Sequence, residues 1–130
     1  MKKALTVFLF ALLLFVSWRL AAQSEDQIFA GQIMDNHCAM LGSHSLGIEE
    51  LKKEGVADAN SVDCTRACMR KGGNYVLYNF DQKVTYQLDF GNQRANQWAG
   101  EDVKLVGRLE KATNTIHIKA IYPGYWTPEH

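Results

Sequence analysis

The chemistry this chain could do is concentrated in three cysteines and the histidines near them. Cys64-Thr65-Arg66-Ala67-Cys68 sets two thiols four residues apart. On a helix, positions i and i+4 share a face, so both sulfurs point the same way. Cys38 stands in Asp35-Asn36-His37-Cys38-Ala39-Met40, and His44 follows six residues later. Three chemistries are open to this set. A single disulfide, Cys38 with Cys64 or Cys68, would leave one thiol free. Closing Cys38 to Cys64 would remove about 3.5 kcal/mol of loop entropy from the unfolded chain. A Cys64–Cys68 bond would strain the disulfide dihedral, because the two side chains run parallel on the helix. Alternatively, Cys64 and Cys68 with Cys38 and either His37 or His44 would ligate a soft metal, Cu(I) or Zn(II). Thiol redox chemistry is the third reading, although its usual Cys-x-x-Cys spacing is missing from the sequence. Asp35 is a candidate for orienting the His37 ring from behind the site, and its plainer reading is a turn residue.

Other chemistries lack their residues. The sequence holds no Cys-x-x-Cys-His, P-loop, dinucleotide fingerprint or Ser-His-Asp order, so nothing nominates an enzyme. His117, between Ile116 and Ile118, reads as an outward-facing, solvated residue of a strand. Tyr122, Tyr125 and Trp126 would line a groove or, the preferred reading, cap one end of the fold.

The elements that must hold the cysteines follow from periodicity. Ile28 to Asp35 is a strand, followed by a polar, Gly-punctuated loop, Asn36 to Gly47. A helix is expected over Ile48 to Glu54. A second runs from an N-cap at Asp63 to Lys71, stopped by Gly72-Gly73. The period then changes to two. Tyr75 to Phe80, Val84 to Phe90, Asp102 to Glu110 and Thr115 to Tyr122 are strands, with Ile116, Ile118 and Ala120 inward on the last. Gln93 to Gly100 is a short connector anchored by Trp98. The expected fold is mainly β: a small five-stranded OB-like antiparallel barrel with a helical insertion over 48–71. The alternative is a two-layer α+β sandwich with the cysteine-bearing helix on one sheet face.

Residues 1–22 carry a positive start, an apolar run from Ala4 to Trp18 and small residues Ala21 and Ala22. This order predicts a secretory signal peptide cut near Ala22, or an uncleaved anchor, which would be the one membrane contact. The 14 basic and 14 acidic residues of the whole chain include Lys2, Lys3 and Arg19. The remaining domain, 23–130, is therefore mildly acidic, which argues against nucleic acid as a partner.

The spacing of Cys64 and Cys68 is similar to that of the Sco-type copper chaperones. At the level of the whole domain the chain resembles a family of small exported bacterial proteins. The resemblance is carried by Gly31-x-Ile33-x-Asp35-x-x-Cys38, a following His44, Cys64-Thr65-x-x-Cys68, Gly73-x-Tyr75-Val76-Leu77 and Gly100-x-x-Val103-x-Leu105-x-Gly107. It implies an exported, periplasmic or secreted, barrel domain with structural or functional cysteines, and supplies no activity. The leading expectation is a cell-envelope binding or scaffold domain stapled by a disulfide. Its partner would be a small ligand, a metal ion or an envelope protein.

Overall fold

The structure, a computed structural model, describes residues 25–128. The signal expected over 1–22 lies outside them. Five strands and four helices follow one another as β1 (Gln27–Asp35), α1 (Asn36–Leu41), α2 (Ser45–Lys53), α3 (Ser61–Arg70), β2 (Tyr75–Asn79), β3 (Val84–Leu88), α4 (Asn92–Asn96), β4 (Asp102–Glu110) and β5 (Thr115–Pro123). The class is mainly β. Among the described residues no helix is long and apolar enough to cross a membrane.

The strands close into a ring in the order β1-β2-β3-β5-β4. Four of the junctions are antiparallel, but β3 and β5 run parallel. This corrects the expectation of an antiparallel barrel, and the reason is arithmetic. Strand directions cannot alternate all the way round a closed ring with an odd number of strands, so one junction must be parallel. That junction is short: Gln87 opposite Thr115 and Leu88 opposite Ile116. The closure is accordingly uneven, with β4 and β5 paired along their whole length from Val103–Pro123 to Glu110–Thr115.

Alternation along the strands fills the ring. Phe29, Ile33, Leu77, Val103, Leu105 and Ile116 are buried together inside it, with Tyr86, Leu88, Trp98 and Leu109 packed against them. On β5 the alternation changes phase. Val106 pairs with Ala120 but Gly107 pairs with Ile118, so Lys119 bulges out of the ladder. The expected inward set therefore changes: Ile121, not Ala120, joins Ile116 and Ile118 against the core. Tyr122 stacks on Trp126 with ring centroids 3.9 Å apart. Tyr125 does not cap the fold as expected, being 88% exposed.

A second core lies outside the ring. Met34, Val76 and Tyr78 point away from the interior of the ring and are covered by Cys38, Ala39 and Cys64, with Ile48, Leu51 and Cys68 alongside. The helical insertion thus packs on the outer face of β1 and β2. That much of the two-layer alternative is realised on a closed ring.

Candidate metal centre

The insertion begins earlier than the expected 48–71. Asn36 to Leu41 is helical, because the Asp35 side chain caps it: Oδ1 accepts the backbone N–H of His37 at 3.0 Å and of Cys38 at 2.9 Å. Six residues are too few to show a helical period in sequence, and Asp35 was the signal that could have revealed the helix. Its expected role as a turn residue becomes that of an N-cap. Gly42, at φ 67°, then ends α1 in the left-handed region and turns the chain back. This turn brings His44, at the start of α2, over β1. Downstream, the N-cap of α3 lies three residues before the expected one. Asn60 is the cap, and Asp63 closes a capping box onto the Asn60 N–H at 3.2 Å. The hydroxyl of Ser61 donates to the carbonyl of Gly100 at 3.0 Å, docking the start of α3 beside β4.

These placements bring four side chains together. Asp35, Cys38, His44 and Cys64 are all buried, and each offers a ligand atom within 4.8 Å of the others. The sulfurs of Cys38 and Cys64 stand 3.5 Å apart. A covalent S–S bond is about 2.05 Å, so all three cysteines are free thiols here. Cys68, one turn after Cys64, is half-buried at the edge of the group. His37 does not join it. Its ring is exposed and only its backbone N–H meets Asp35, so the expected hydrogen bond between Asp35 and the His37 ring is replaced by the cap.

The electrostatics of the cluster hold its thiols protonated and its imidazole neutral. Burial, then the Asp35 carboxylate, push the Cys38 thiol far above its ordinary value. Burial is also the main cause that raises Cys64. Cys68 is pushed up to about 11, first by burial and then by Asp35. Burial lowers His44 against a smaller opposing pull from Asp35, keeping its imidazole neutral.

Gln32 fixes which nitrogen of that imidazole carries the proton. The Gln32 amide donates to Asp102 Oδ1 at 3.2 Å, which leaves its carbonyl oxygen 2.7 Å from His44 Nε2. Nε2 must therefore be the protonated nitrogen, and Nδ1 holds a lone pair. Among the described residues, Nδ1 of His44, Oδ2 of Asp35 and, outside the four-residue group, Oγ1 of Thr65 are buried without a hydrogen-bond partner. Sequence reasoning missed Gln32, because one glutamine in a strand carries no spacing signal.

A buried group of two sulfurs, one imidazole lone pair and one carboxylate oxygen could hold a metal ion. Comparison with family models, with curated proteins and with solved structures finds no match to this chain.

Proposed function

We propose that this is an exported domain that binds one soft divalent metal ion, zinc, through Asp35, Cys38, His44 and Cys64. The carrying observation is the pair of buried acceptors with no partner, His44 Nδ1 and Asp35 Oδ2, beside two sulfurs 3.5 Å apart. Each unpaired buried acceptor costs about 1–3 kcal/mol, and a cation placed among all four ligand atoms offsets both. A tetrahedral site with Zn–S of about 2.3 Å has an S···S edge of roughly 3.8 Å, close to the Cys38–Cys64 separation. Cu(I), satisfied by soft donors alone, has little use for the Asp35 oxygen, so the donor set favours Zn(II). The signal-like order of residues 1–22 supports export, and the resemblance described above supports a bacterial envelope. The strand order with its parallel β3–β5 junction, and α4 between β3 and β4, support an OB-like barrel as the scaffold.

Anaerobic titration of reduced protein with Zn(II), and separately Cu(I), against a competing chelator tests this. The expected result is one equivalent of Zn(II) bound tighter than about 1 µM, lost in the Cys38→Ser, Cys64→Ser double variant and weakened in His44→Ala. Weaker binding by the wild type, or equal binding by the double variant, overturns it.

The same Cys38–Cys64 proximity favours a second reading. In an oxidising compartment, loss of two electrons and two protons to an oxidant would join these sulfurs. The bond would staple α1 to α3 and leave Cys68 free, making the domain a passive envelope scaffold or binding module. Two missing hydrogens in the intact mass of protein from the native host, with one titratable thiol, would favour this reading over the metal site.

A further inference from the structure

The four ligands proposed above are too well covered for a hydrated ion to reach directly. Asp35 is 0% exposed, Cys64 1%, Cys38 2% and His44 8%. One small cavity reaches one of the four, Cys64. Between α2 and α3 lies a cavity of about 20 Å³, lined by Gly47, Glu50, Glu54, Cys64, Cys68 and Lys71 among others. Its volume suits a single ion or water and no organic ligand. Cys64 belongs both to this cavity and to the buried cluster. Cys68 is one helical turn away on the same face and only half-buried. Two carboxylates line the same cleft, Glu50 and Glu54, and the first pairs with Lys71 at 3.5 Å on the exposed side.

We propose that Cys68 is the entry ligand of the site, catching Zn(II) in the α2–α3 cleft and passing it to Cys64. The proposal rests on the metal-binding reading above. Capture forms the Zn–S bond to Cys68 as its thiol proton leaves to water or to a cleft carboxylate. Handover forms the Zn–S bond to Cys64, whose proton leaves in turn. The Zn–S bond to Cys68 then breaks and that sulfur is reprotonated. No electrons change hands, and the ion keeps at least one sulfur throughout. Cys38, His44 and Asp35 complete the coordination once the ion is past Cys64. Glu50 and Glu54 raise the local concentration of cations at the opening.

Stopped-flow mixing of reduced full-length protein with Zn(II) held by a chromophoric chelator reads uptake, and a chelator chase reads release. The Cys68→Ser variant is expected to slow both by at least about tenfold, while the equilibrium affinity changes less than about threefold. The exposed pair Glu50→Gln, Glu54→Gln, which touches no ligand, is expected to slow uptake several-fold. With Co(II) as the probe, the sulfur-to-cobalt charge-transfer band should keep its wild-type intensity in Cys68→Ser. Unchanged rates in both variants would overturn the entry role and leave the metal site standing. A charge-transfer band diminished together with the affinity would overturn it differently, making Cys68 a permanent ligand. A wild-type protein that takes up no Zn(II) would remove the metal reading itself, and the entry role with it.

Discussion

The carbonyl oxygen of Gln32 lies 2.7 Å from Nε2 of His44, and this contact decides which nitrogen of His44 faces the cysteines. The lever starts further back, because Asp102 on β4 accepts from the Gln32 amide and so sets which end of it His44 meets. A strand on the far side of β1 therefore determines the tautomer of a residue at the head of α2. The Gln32→Leu variant should keep the fold and lower Zn(II) affinity by about 10–100-fold, the usual cost of losing an outer partner of a ligating histidine. Chelator competition measures it, and an affinity within twofold of wild type would mean that Gln32 does not orient the ring.

Most of this frame is readable in the chain, and the part that is not has a definable cause. Strands β3 to β5 show themselves by alternation, while β2, packed on both faces, reads as a continuous apolar run. The parallel β3–β5 junction leaves no local trace, since pairing partners are set by ring closure and not by neighbours in sequence. The bulge at Lys119 is silent for the same reason. In the site, Cys38, Cys64 and His44 stand out by residue type. Asp35 is visible but ambiguous, because capping a helix and offering a ligand oxygen use two atoms of one carboxylate. The sequence leaves His37 and His44 as alternatives. A short capped helix sends the His37 ring to solvent.

Metal should stabilise the fold. At free Zn(II) near a thousand times the dissociation constant, linkage adds about 4 kcal/mol to unfolding. For a domain of this size that raises Tm by more than roughly ten degrees. Differential scanning calorimetry of reduced protein with and without Zn(II) checks it. The same scan on Cys38→Ser should show no rise.

Gly47 is a steric requirement of the site. A Cβ built there collides with Cys64 Sγ. The Gly47→Ala variant should lose about 1–3 kcal/mol in chemical denaturation, the cost of forcing a methyl into a packed contact. It should also weaken metal binding, because the sulfur that must move is a ligand. Wild-type stability in this variant would show that α2 can slide away from α3 at no cost.

His117 should make stability depend on pH at a place far from the cysteines. Its Nδ1 lies 2.9 Å from Asp89 Oδ2 and its Nε2 lies 3.2 Å from Glu110 Oε2. Hydrogen bonds donated to Asp89, then to Glu110, raise its pKa above 6.5. Arg108 faces it across the ladder. Because the folded pKa is the higher one, the stabilisation is complete below about pH 6.5 and fades as pH rises through the folded value. His44 acts with the opposite sign, since its lowered pKa costs stability as pH falls below about 6.5. Urea midpoints between pH 6 and 8.5 should therefore decline less steeply in His117→Gln than in wild type. The ring protons of His117 should titrate by NMR with a midpoint above 6.5. An ordinary midpoint would show that the two carboxylates do not hold the ring in solution.

Strand β5 lies between β3 and β4 in the ring although it follows both in the chain. The order of assembly follows from this. A chain emerging amino end first lays down Asp35, Cys38, His44, Cys64 and the β2–β3 hairpin before either of the strands that complete the ring exists. Asp102, which holds Gln32, arrives only with β4, and the β3–β5 seam can zip only after that. Such late, sequence-distant closure is slow compared with local helix and hairpin formation. The thiols therefore meet the surrounding solution as a nascent, half-covered cluster before the ring closes. Whether they first meet an oxidant or a metal ion in that interval sets whether the Cys38 and Cys64 sulfurs are joined or free when Asp102 arrives to fix the Gln32–His44 contact.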